Sequence, residues 1–211
     1  MEFLNKHGWL FLLTAMIGDI VVSLILSFFY KGYSNIKMSI SALGNPNSPV
    51  RLPFNIWMVL EGILFLAAIP AIYTFYNPVL GGITKAMVAF VAIFAVGACI
   101  FTGFFSVNES KDVVTTASKI HGAGSVIGFM LFLFVPLLVG ILSFKNGESG
   151  MGIISIVCFA ISMVFFVLFV MSDKQEFKYT VIQNEGLWQR LNLAFMYLPL
   201  IVVSIKKLTE K

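Results

Sequence analysis

Charge is what this sequence lacks most. Only 11% of its 211 residues are Asp, Glu, Lys or Arg, where a soluble domain carries about 25%. So few ionised groups cannot keep the surface of a folded chain of this size in water. A soluble single domain is excluded, and with it a disordered chain, a coiled coil and a nucleic-acid-binding module. Cysteine and histidine are also scarce. Cys99 and Cys158 both lie inside apolar runs without CxxC spacing, which reads as two buried thiols and not as a disulfide or metal pair. His7 and His121 start helices on opposite membrane faces, so bis-His haem is not available, and a zinc hydrolase needs three or four ligands. No GxxxxGK[ST], GxSxG or HExxH is present, and no GxGxxG follows a strand. Neither a metal nor a cofactor is expected, and no nucleic-acid partner.

What is abundant is apolar: 59% of the residues are hydrophobic. A membrane span needs about 20 mostly apolar residues. Six runs qualify, at about 9–30, 53–76, 85–105, 119–144, 150–172 and 187–205. They are continuous, where barrel strands would alternate. The predicted fold is all-α: a bundle of six transmembrane helices in one domain, 1–211. Lys6 ahead of the first run resembles a signal-peptide n-region, but the run from Gly8 to Tyr30 is too long for an h-region and contains Asp19. It is expected to stay as a membrane helix.

Connections 77–84 and 145–149 are short, while 31–52, 106–118 and 173–186 are longer and polar. Six spans put the three longer connections on one side and both termini on the other. Basic residues are denser in the short segments of the termini side (Lys6, Lys85, Lys145, Lys206, Lys207, Lys211), which predicts both termini inside. The triplet Asn108-Glu109-Ser110 matches a glycosylation sequon, but such triplets arise often by chance.

Polar groups within apolar runs are expensive; a carboxylate near the bilayer centre costs about 2.5–3.5 kcal/mol on insertion scales. Asp19 lies about 15 Å into the first span and Glu61 about 12 Å into the second, at 1.5 Å per residue. Ser23 and Ser27 follow Asp19 on the same face. Each carboxyl reads either as a functional group or as protonated glue between helices. Ser39, Ser41 and Asn45 in the first long connection, Asn55 at the start of the second span, His121 at the start of the fourth, and Glu185, Gln189 and Arg190 at the start of the sixth fall on the side from which Glu61 is reached. Converging there, these groups would line a polar cavity. Each also has an ordinary explanation as a turn, a helix start or a snorkelling side chain.

Ser39-Ile40-Ser41-Ala42-Leu43-Gly44-Asn45-Pro46, followed by Asn55, Glu61-Gly62, His121-Gly122 and Gly186-Leu187-Trp188-Gln189-Arg190, resembles the prokaryotic six-helix membrane protein family of unknown function DUF998 over nearly the whole chain. Where the family's loop usually carries an acidic residue, this chain has Ala42. The family is more distantly similar to eukaryotic Frag/DRAM/Sfk-like proteins, which are associated with lipid handling and trafficking. The resemblance implies a multi-pass protein of a prokaryotic plasma membrane. It brings no reaction with it.

The function expected is binding or transport of a lipid or small amphiphile in a polar pocket at the long-connection face. Glu61 and His121 would exchange protons there, Arg190 would hold an anionic headgroup, and Ser39, Ser41, Asn45 and Asn55 would supply hydrogen bonds. The rivals are an intramembrane lipid-modifying enzyme with His121 or Glu61 as acid/base, and a non-catalytic membrane partner or assembly protein. The sequence leaves the oligomeric state open.

Overall fold

The computed structural model describes residues 1–108 and 114–210; Glu109, Ser110 and Lys111, in the sequon and the third connection, lie outside them. The chain forms α1 (Glu2–Ser27), α2 (Arg51–Phe94), α3 (Phe101–Phe104), α4 (Thr116–Phe132), α5 (Val135–Lys145), α6 (Ser149–Met171) and α7 (Glu185–Thr209). About 81% of it is helical and the described residues contain no strand, so the protein is all-α.

Five helical stretches are long and apolar enough to cross a membrane: Glu2–Ser27, Arg51–Phe104, Thr116–Lys145, Ser149–Met171 and Glu185–Thr209. Six separate runs were expected. The second and third are joined, because residues 77–84 are absorbed into helix instead of forming a loop. A straight helix from Arg51 to Phe104 would extend roughly 80 Å at 1.5 Å per residue, far beyond a hydrocarbon core of about 30 Å. It is not straight. At Leu80 the backbone leaves the helical region (φ −159°, ψ 88°), just after Pro78, where a missing N–H and the proline ring weaken the ladder. The two arms then run antiparallel side by side. Phe65 meets Phe94 edge-on at 5.5 Å, and Gly103 lies against Asn55 and Val59. A side chain at Gly62 would come within 2.6 Å of the Ala95 carbonyl oxygen, so only glycine permits this approach. The second arm contains a π-helical turn, Ala95–Ile100, a feature that often accompanies functional sites.

The Thr116–Lys145 stretch opens with a capping box: Ser118 N–H donates to Thr115 Oγ1 at 3.2 Å and Thr115 N–H to Ser118 Oγ at 2.9 Å. It bends between α4 and α5, where Pro136 cannot donate to the preceding turn. At one end of the bundle, Thr74 donates to Asn5 at 3.2 Å, Lys206 pairs with Glu148 at 3.0 Å, and Lys207 lies 4.4 Å from the Phe75 ring centroid. Those contacts gather both termini, the Leu80 turn and the α5–α6 turn. The longer connections occupy the opposite end.

Polarity is distributed for lipid. The wholly buried interior includes Glu61 and Asn192, with Asp19 only 4% exposed, while α6 turns Ile153, Val157, Val164 and Val167 outward. A water-soluble bundle would bury its most apolar helix; here only 17% of the most apolar stretch of α6 is covered. The centre is an aromatic cluster, Phe65, Phe94, Phe132 and Tyr197, in which Phe94 and Phe132 approach to 4.5 Å between ring centroids.

Candidate functional site

Between the aromatic centre and the long-connection end lies a cavity of about 610 Å³. Phe54, Met58, Phe94, Phe129, Phe166 and Phe169 form apolar walls. Polar groups occupy two levels. Asp19 and Glu61 line the deep level; Ser39, Ser41, His121, Asp173, Glu185 and Gln189 line the level nearer the connections. Among the described residues lining it, four carry carboxyls and none is Lys or Arg.

The deep level is built by three helices and the π turn. Asp19 on α1 accepts a hydrogen bond from Tyr197 Oη on α7 at 2.8 Å. Glu61 on α2 accepts a longer contact from Cys99 Sγ, in the π turn, at 3.6 Å. The Gly62 approach described above brings that π turn to Glu61. Glu61 is wholly buried, yet its Oε2 has no hydrogen-bond partner among the described residues. All four groups lie within electrostatic reach of one another. An unsatisfied buried carboxyl oxygen costs free energy unless something donates to it.

At the upper level His121 is 6% exposed. The Phe105 backbone engages its imidazole, and Nδ1 has no partner among the described residues. Ser125, one turn on, also lines the cavity. Ser39 Oγ and Ser41 Oγ are 3.3 Å apart. Gln189 Oε1 accepts from Ile40 N–H at 2.7 Å, which fixes the short 3₁₀ turn Ile40–Gly44 over the cavity.

Three residues expected in the site are placed beside it instead. Asn45 donates to Tyr30 Oη at 3.1 Å and to the Ala42 carbonyl at 2.8 Å, shaping the loop. Asn55 donates to Ser106 Oγ at 3.3 Å. Arg190 uses Nη1 on the carbonyls of Asn35 (2.9 Å), Met38 (3.2 Å) and Gly186 (3.0 Å), and Nη2 on Tyr33 Oη at 2.7 Å. Tyr33 in turn donates to the Ser39 carbonyl at 2.9 Å. Burial pushes the Tyr33 phenol above its ordinary value, against the pull of Arg190, so the hydroxyl keeps the proton it donates. Gly186 lies so close to the Met38 and Asn35 carbonyls that a Cβ would collide with both. Arg190 thus clamps the first connection to α7 and reaches Asp19 only through space.

The cavity opens sideways. Its α4 wall includes Val126 and Met130 and its α6 wall Val170, and these are 57%, 49% and 49% exposed. The α4 and α6 backbones hardly approach each other, so the gap between them is bridged by side chains such as Phe129 and Phe169, 6.5 Å apart. Apolar residues frame this gap. Asp173, at the end of α6, stands at its upper corner and is exposed.

Sequence reasoning gave Asp173, Cys99 and Tyr197 no place in the site. Asp173 reads as a loop boundary, and Cys99 and Tyr197 as core residues of apolar runs. Tyr197 and Asp19 are 178 positions apart, and no local pattern pairs them. Among the described residues, no group of three His, Cys, Asp or Glu side chains could hold a metal ion.

Residues 13–206 match the family described as "Protein of unknown function (DUF998)". No curated protein and no solved structure is matched by the chain.

Proposed function

The chain belongs to the DUF998 family, and from that premise we propose that it is a six-crossing integral membrane protein that binds or transports a lipid or small amphiphile in the cavity above. Six crossings are supported by the break at Leu80, which divides the 54-residue stretch into two antiparallel arms. The expected setting is a prokaryotic plasma membrane with both termini inside.

One observation carries the ligand. A cavity of about 610 Å³ joins apolar walls and a sideways apolar opening to a deep polar end where Glu61 Oε2 is buried without a partner among the described residues. That volume falls in the range of small-molecule sites, roughly 300–1,000 Å³. An amphiphile matches the arrangement, its tail along the phenylalanines and its head donating to the carboxyl. An enzyme with His121 as base would need a nucleophile hydrogen-bonded to it, and His121 Nδ1 has no such partner among the described residues; this speaks for binding over turnover at His121. A non-catalytic partner would leave the orphaned carboxyl without a role.

Native mass spectrometry of the gently extracted protein beside Glu61→Gln tests the assignment. A defined small-molecule adduct on the native chain, lost or much reduced in the variant, is the expected result. Identical spectra without an adduct would make Glu61 a packing residue and transfer the case to an assembly partner.

A further inference from the structure

We propose that the polar head taken by this cavity is a cation, an amine carried as ammonium on an apolar tail. The inference rests on the amphiphile-binding assignment above and specifies its chemistry. Asp19, Glu61, Asp173 and Glu185 all line the cavity, and no Lys or Arg does among the described residues.

Acidic lining alone would not identify a ligand. Two independent vacancies in the hydrogen bonding do. Glu61 is wholly buried and His121 94% buried, and each keeps one polar atom, Oε2 and Nδ1, without a partner among the described residues. Both residues line the same space. Ionised by pairing with a bound cation, the Glu61 carboxylate accepts and does not donate, and an imidazole nitrogen whose ring is engaged elsewhere by the Phe105 backbone accepts as well. Each of the two atoms, at its own level of the cavity, calls for a donor, and a primary ammonium carries three N–H groups. Phe94 and Phe129 line the same space, and aromatic ring faces attract a cation and repel an anion.

An anionic head fails on the same facts. It would meet the Asp19 and Glu61 carboxyls at depth, and Arg190 has its Nη1 and Nη2 atoms committed to three carbonyls and Tyr33. The head the arrangement selects therefore has the opposite sign to a phosphate. Asp173 at the exposed corner of the opening would meet it first, and Glu61 would hold it at depth.

The test compares three probes with one tail: dodecylamine, dodecanol and dodecyl phosphate, each titrated into the full chain in phosphatidylcholine nanodiscs and read by native mass spectrometry. Dodecylamine is expected to bind at least about tenfold tighter than dodecanol, equivalent to about 1.4 kcal/mol, and dodecyl phosphate weaker than either. In Glu61→Gln, and separately in Asp173→Asn, the dodecylamine-to-dodecanol preference should fall to about threefold or less. If Glu61→Gln does not fold, Asp173→Asn at the exposed corner carries the comparison. Equal binding of the three probes, preference for the phosphate, or a preference untouched by either variant would overturn the cationic head and leave the amphiphile site standing. Failure of all three to bind would overturn both.

Discussion

The Asp19–Tyr197 bond shows how one residue's placement depends on another far along the chain. Asp19 is 4% exposed, and the donor that makes this tolerable is a phenol on α7. Removing that hydroxyl leaves Asp19 Oδ2 buried and unsatisfied, at a cost of about 1–3 kcal/mol. Tyr197→Phe should therefore lower the melting temperature of the detergent-solubilised protein by several degrees, whereas Phe132→Leu, a neighbouring aromatic change, tests packing alone. An unchanged melting temperature in Tyr197→Phe would mean that the bond contributes nothing. The depth of Asp19 and Glu61 was legible, because a charge inside an apolar run stands out at any position. Their partners were not. Tyr197 and Cys99 sit in apolar helical runs where tyrosine and cysteine are ordinary core residues, and their polar atoms acquire meaning only once α1, α2 and α7 are packed.

Among elements, the first long connection is the one held most deliberately. Gln189 binds the Ile40 amide, Arg190 reaches two carbonyls and Tyr33 within it, and Leu187 N–H donates to the Ile36 carbonyl at 3.0 Å. All the anchors belong to the first turns of α7. Lysine would keep the charge of Arg190 but lose its planar fork. Losing even one charge-assisted bond, worth about 1.5–3 kcal/mol, should raise the open fraction of the connection about tenfold or more. Limited proteolysis within residues 31–50 measures this: cleavage of Arg190→Lys should be correspondingly faster, and equal rates would show that the clamp does not restrain the loop. The sequence suggested a headgroup ligand at Arg190 because arginine at a membrane interface commonly meets phosphate. In the structure its acceptors are three backbone carbonyls and the Tyr33 hydroxyl, and no sequence pattern records carbonyls brought together by folding. The Leu80 turn was legible in kind but not in extent. Asn77-Pro78 and Gly81-Gly82 signal a break, yet neighbouring helices hold the chain helical on both sides of a single residue.

For the whole molecule, the apolar runs disclosed the helical class at once, since continuous hydrophobic stretches with few charges have little else to form in lipid. Which helix lies beside which was not disclosed, because an apolar run looks much the same on every face. Only close-approach glycines such as Gly62 hint at it. The sidedness of the connections is directly measurable. Both native thiols are buried, so single cysteines can be introduced at exposed positions without removing them. With six crossings, Lys37→Cys and Lys174→Cys should label with an impermeant maleimide from one side of a sealed vesicle, and Lys6→Cys, Leu80→Cys and Lys145→Cys from the other. Labelling of Leu80→Cys together with Lys37→Cys would remove the hairpin from the topology. For the amphiphile site proposed above, the gap between α4 and α6 changes what concentration means. A site entered from the bilayer plane equilibrates with the mole fraction of ligand dissolved among the lipids, not with its molarity in water. Occupancy then follows the partition coefficient of the tail and the amount of lipid present, and adding inert lipid empties the site as effectively as dilution empties an aqueous one.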